Sequence, residues 1–190
     1  SSANSVDIIR KRKNKVKFSC GVSINNLSLN ENDIGDFKTF LKLSPPLRTE
    51  TDRNALVQGL NDETIDVIVS DHKPEDEENK RLTFAQAETG ASGIETLLPL
   101  SLELYHNGSV ELETIIKALT SKPAEILKIN KGNLSTGNDA DFCIVDINKP
   151  WVVRKEKLIS KSKNTPIEDK KLQGKVISTF VNGEELFKSE

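Results

Sequence analysis

Thr64-Ile65-Asp66-Val67-Ile68-Val69-Ser70-Asp71-His72-Lys73-Pro74 is the stretch on which the fold turns. Four of the five residues at positions 65–69 are β-branched aliphatics, the side chains that suit a buried strand. A strand buried on both faces is typical of a parallel sheet covered by helices. In a (β/α) barrel the carboxyl ends of the strands form the active-site rim. An acid at that position, here Asp71, is placed to bind a metal or move a proton. The same acid also suits the start of a surface turn, and the segment alone allows both readings.

Upstream of this run, Ser5 reads as the cap of a helix over 6–13, and 16–23 as a strand leading into Ile24-Asn25-Asn26-Leu27. Residues 30–33 read as a polar turn or helix start. Residues 40–43 read as a short strand stopped by Pro45-Pro46, which bias the preceding chain to extended geometry. Thr51 or Asp52 would cap a helix over 53–60. Alternating helices and strands of this kind argue for parallel βα units. Downstream, residues 73–80 are strongly charged and read as a mobile loop, and Gly90 and Gly93 precede a helical pattern over 94–106. Two further helices are expected over 111–119 and from Pro123 to about Ile129. Beyond Gly132 the pattern becomes β: strands at 142–146, 151–153 and 176–181, with Asn182-Gly183 as a hairpin turn into 184–187.

The chain has 190 residues, 29% charged and 35% hydrophobic, with a net charge of −2. That balance gives no electrostatic bias toward nucleic acid or membrane, and no apolar run reaches the length of a membrane span. The cluster Arg10-Lys11-Arg12-Lys13 suits the solvated end of a helix. Cys20 and Cys143 lack metal-ligand spacing and read as buried free thiols in a reducing, cytoplasmic compartment. The chain contains no methionine and opens in mid-pattern, so it is expected to be the C-terminal part of a longer protein.

Lys42-Leu43-Ser44-Pro45-Pro46-Leu47-Arg48, then Asp52-Arg53, then residues 65–72, resemble consecutive blocks of the dihydroorotases, the cyclic amidohydrolases of pyrimidine biosynthesis. Gly93-Ile94-Glu95-Thr96-Leu97-Leu98-Pro99, Lys122-Pro123-Ala124-Glu125-Ile126-Leu127, residues 132–142, Ser162-Lys163-Asn164-Thr165-Pro166 and Gly174-Lys175-Val176 continue the resemblance in the same order. It implies an α/β fold: the C-terminal half of a (β/α)8 TIM barrel over residues 1–130, with a small C-terminal β-sandwich subdomain over 131–190. It also implies a zinc-dependent hydrolase that reversibly opens the dihydroorotate ring to N-carbamoyl-aspartate.

By the same resemblance, Asp71 would be a metal ligand and the proton shuttle to the leaving nitrogen. The family's His-x-His pair and its fifth-strand histidine would lie before Ser1. Its sixth-strand histidine ligand corresponds to Asn25, whose neutral amide is a poor zinc ligand beside an imidazole. At substrate-contacting positions, Ser44 stands where an asparagine is usual and Glu75 where a histidine is usual. Gly90 and Gly93 match a loop whose backbone meets the substrate. His72 would be a partner of the site or an exposed rim residue, and His106 a helix C-terminal residue. The departures at Asn25, Ser44 and Glu75 also fit a catalytically silent subunit supporting an aspartate transcarbamoylase. A different cyclic ureide as substrate is a third reading. A homodimer is among the assemblies the resemblance allows. The 190 residues alone are expected to be inactive and to depend on the rest of a longer chain or on self-association.

Overall fold

In the computed structural model, which describes residues 1–189, β1 (Gly21–Ser23) and β2 (Val67–Val69) form a parallel pair in the register Gly21–Val67, Val22–Ile68 and Ser23–Val69. The β-branched run thus makes its strand, although a shorter one than its composition suggests. Asp66, the one polar residue in the run, locks it in place. Its carboxylate accepts a hydrogen bond from the Cys20 amide at 2.8 Å and an ion pair from Lys13 at 2.7 Å. Lys13 also donates to the Thr64 carbonyl at 2.9 Å. These bonds tie the last turn of α1 (Ala3–Lys13) to both strands.

The helices that follow are α2 (Ile24–Ser28), α3 (Glu50–Asn61), the single turn α4 (Glu77–Lys80), α5 (Leu97–His106), α6 (Leu112–Leu119) and α7 (Ser121–Leu127), of which α2 packs on β1 and α6 on β2. Three antiparallel strands follow in the order β3 (Phe142–Val152), β4 (Lys171–Val181) and β5 (Glu184–Lys188), with the β4–β5 turn at Asn182-Gly183 as expected. One apolar core joins the two parts. Ile24, Leu27, Leu60, Ile68, Leu100 and Ile115 share it with Val153 and Leu172 of the C-terminal segment. Pro99 sits in the first turn of α5, where its missing N–H costs no helical bond.

Several elements differ from the sequence reading, each for a tertiary reason. The cap of α1 is Ser2 rather than Ser5, and Asp52 takes the Ala3 amide at 2.8 Å, so the helix begins earlier. Thr49, not Thr51 or Asp52, caps α3. Residues 16–20 lie outside the strand, because β2 offers β1 a partner only at Gly21–Ser23. The expected strand at 40–43 is instead a 3-10 turn, Thr39–Leu41. The helix expected from Ile94 starts at Leu97, and Ile94 is exposed. The strands at 142–146 and 151–153 are one strand, irregular between Asp146 and Pro150. Cys143 is exposed and Cys20 half-buried, so neither thiol is the fully buried one expected.

The charged segment 73–80 also departs from its reading as a mobile loop, since it ends in a buried lysine. Lys80 is 2% exposed, and its ammonium donates to the carbonyls of Glu88 at 2.7 Å, Thr39 at 3.3 Å and Lys42 at 3.5 Å. Capture of the Thr39 and Lys42 carbonyls explains why 40–43 curls instead of extending. Burial holds the ammonium down from the usual 10.5 to about 8, partly opposed by Glu75. Across that window the unfolded chain keeps a proton that the folded one has released, so stability rises with pH from about 8 to about 10.5. Lys80→Met should abolish that rise. The wild-type minus variant unfolding free energy, taken from urea midpoints of the full-length protein, is expected to increase through this range. A pH-independent difference would contradict it.

Candidate functional site

Asp71 follows β2 by two residues and adopts a left-handed conformation, φ +49°. That conformation is uncommon for residues other than glycine, although aspartate and asparagine adopt it more readily than most. It turns the chain sharply as it leaves the strand. The side chain is exposed and lines a cavity of about 210 Å³ that runs along the open face of the strand pair past Gly21, Ser23 and Val69 to Asn26 and Pro45. Asn26 donates to the Pro46 carbonyl at 3.3 Å and so fixes the Pro-Pro segment over this cavity.

His72 comes next and is half-buried. It bridges in parallel to Ala91, which extends the line of β2 toward the glycine loop. Its Nδ1 accepts the amides of Gly93 at 3.1 Å and Ile94 at 3.4 Å, so the tautomer with its proton on Nε2 is selected. The two loops meet closely enough to demand glycine. A Cβ on Gly90, at φ +133°, would lie 2.7 Å from the Lys73 carbonyl oxygen, and one on Gly93 would lie 2.7 Å from that of Ser70. Both glycine amides already have internal partners, Gly90 N–H on the Lys42 carbonyl at 3.0 Å and Gly93 N–H on His72.

The other expected site residues lie apart from Asp71. Glu75 faces a different cavity, of about 750 Å³, bounded by His72, Phe40 and the 155–164 segment. There its carboxylate pairs with Lys73 at 3.2 Å. Ser44 is exposed, beside the Pro45 that lines the Asp71 cavity. Asn25 is buried, at 2% exposure, with its Nδ2 unpartnered, while its neighbour Asn26 faces the cavity. Among the described residues no group of three or more His, Cys, Asp or Glu could hold a metal ion. Asp71 fits as one anionic oxygen donor, whereas a catalytic zinc takes three protein ligands. By themselves these residues offer such a site one donor, Asp71. Sequence reasoning missed Asn164. It appears there only inside the Ser162–Pro166 block, yet its side chain reaches both loops of the site.

The amidohydrolase family pattern matches residues 2–186, and the chain belongs to the amidohydrolase family. Among curated proteins it is similar to the dihydroorotase of Ehrlichia canis (strain Jake), 44% identical over 184 residues that cover 96% of this chain and 41% of that protein. It is also similar to the dihydroorotase of Acetivibrio thermocellus, 41% identical over 181 residues, covering 94% of this chain and 42% of that protein. The chain thus spans less than half the length of either relative. Among solved structures, an L-hydantoinase (dihydropyrimidinase) from Arthrobacter aurescens superposes with a TM-score of 0.94 at 27% identity, over 99% of this chain and 43% of that one. A dihydropyrimidinase from Brevibacillus agri NCHU1002 shares the fold, with a TM-score of 0.90 at 23% identity over the same shares. The fold is of the TIM-barrel amidohydrolase type. No helix among the described residues is long and apolar enough to cross a membrane.

The Gly93 amide is buried on His72, so His72→Ala should cost about 1–3 kcal/mol by leaving it unpaired. His72→Asn, which restores an acceptor at nearly the same place, should recover most of that loss. Chemical denaturation of the full-length variants checks both, and equal stability of the alanine and asparagine variants would count against the bond.

Proposed function

We propose that the chain is the C-terminal portion of a dihydroorotase-type cyclic amidohydrolase. In this reading residues 1–130 complete the second half of a (β/α)8 barrel, and 131–190 form its β subdomain. The observation that carries it is the placement of Asp71. A carboxylate leaves the C-terminal end of a parallel strand and opens onto a cavity, in a chain 44% identical to a dihydroorotase across 96% of its length.

The reaction is the reversible opening of the dihydroorotate ring to N-carbamoyl-aspartate. Asp71 takes a proton from the attacking water and returns it to the ring nitrogen as the amide bond breaks. The left-handed turn at Asp71 aims the carboxylate, and the His72 bond to the glycine loop holds that turn. Gly90 and Gly93 act by letting the two backbones approach at Lys73 and Ser70, which sets the path of the chain on either side of the acid. Asn26 and the Pro45-Pro46 segment close the opposite side. A divalent cation, zinc by family resemblance, would be held by Asp71 with donors from preceding sequence. When bound, it supplies Lewis-acid activation of water and of the amide carbonyl. Asn25 contributes no charge to such a site, and Glu75 lies in the neighbouring cavity, outside the reacting centre.

Asp71→Asn in the full-length protein should lower kcat for ring opening by about 10²–10⁴-fold, the range for removal of a general acid–base group. Steady-state assays of wild type and variant, in both reaction directions, measure this. Activity equal to wild type would remove Asp71 from the reaction. Turnover of hydantoin in preference to dihydroorotate would reassign the substrate.

A further inference from the structure

The C-terminal segment reaches into the site through one side chain, Asn164, which is 2% exposed. Its Nδ2 donates to the carbonyls of Gly90 at 3.2 Å and Lys73 at 3.4 Å. Its Oδ1 accepts from the Glu75 amide at 3.3 Å, the Ser92 hydroxyl at 2.8 Å and the Ser162 hydroxyl at 2.7 Å. Its own carbonyl accepts the Ser92 amide at 3.2 Å. Lys73 and Glu75 follow Asp71 closely in the chain, and Gly90 and Ser92 flank the turn whose Gly93 amide rests on His72. One amide therefore spans the gap between the two loops.

The chemistry of the position is specific. Two carbonyls need two N–H donors on one end of the side chain, and a cluster of donors needs an acceptor on the other. Only a primary amide offers both. A carboxylate would set an oxygen against the two carbonyls. An aliphatic side chain would leave several buried groups unpaired. Asn164 thus ties the chain just after the Asp71 turn to the facing glycine loop.

We propose that Asn164 is a positioning residue of this site: it clamps the loop after Asp71 to the Gly90–Gly93 loop and so fixes where the Asp71 carboxylate points. The activity arm of the test rests on the ring-opening function above; the structural arm does not.

The experiment compares full-length wild type, Asn164→Ala, the milder Ser92→Ala and a packing control, Val153→Ala, which removes core volume at a residue bonded to none of the Asn164 partners. Steady-state kinetics and residue-resolved hydrogen exchange are read below the melting transition of every variant. Asn164→Ala should lower kcat by about 10–100-fold with KM changed less than about threefold, as a small misplacement of a catalytic group does. The amides of Lys73, Glu75 and Gly93 should exchange at least about tenfold faster than in Val153→Ala. Ser92→Ala should shift both quantities in the same direction, by less.

A kcat unchanged in folded Asn164→Ala, or exchange at those amides no faster than in the control, would overturn the clamp. If Asn164→Ala does not fold, Ser92→Ala decides by the same two criteria. A wild type without ring-opening activity would sink the proposed function instead, and the exchange comparison would still decide the clamp.

Discussion

The parallel register of Gly21–Ser23 against Val67–Val69 is the constraint from which the site follows. It brings Ser23 level with Val69, so α2 and the Asp71 turn leave the strands at the same end. Asp66 sets this register by accepting the Cys20 amide on one side and Lys13 on the other. A slip of one residue would point Ile68, now buried at 4% exposure, to the opposite face. A pair only three residues long has little ladder of its own to resist such a slip. The ion pair and the shared core make up the difference.

Much of the scaffold can be read locally. The β-branched run marks its strand, Pro99 and Pro123 mark early helical positions, and Asn182-Gly183 marks its hairpin. What escapes local reading depends on partners distant in sequence. Residues 40–43 read as a short strand stopped by Pro45-Pro46, but Lys80, some forty residues away, captures the Thr39 and Lys42 carbonyls and the segment curls into a turn. Lys80 itself looks like part of a solvated charge run, and only its three carbonyl acceptors reveal it as buried. The place of Asp71 just past its strand was legible because strand composition and chain direction together give it. The place of Glu75 was not: Asn164 bonds its backbone amide, and its side chain lines the other cavity. Asn164 offers no local signal, because all its side-chain partners but Ser162 are 72–91 residues distant.

The chain belongs to the amidohydrolase family. Its described residues place one exposed carboxylate, Asp71, just past a parallel strand and bond the loop after it to the Gly90–Gly93 loop. Val69, Ile144 and Phe187 expose apolar surface on their strands. The C-terminal sheet shares the core of the helical part through Val153 and Leu172, and Asn164 adds polar bonds to the same junction. Structure late in the sequence thereby bonds the loop that follows Asp71.

The most direct measurement is a crystal structure of the full-length protein with N-carbamoyl-aspartate or dihydroorotate bound. The reacting amide within about 2.6–3.2 Å of an Asp71 oxygen, directly or through one water, is the expected result. Ligand seated instead in the cavity of Glu75 and Phe40, with Asp71 turned to bulk solvent, would contradict it.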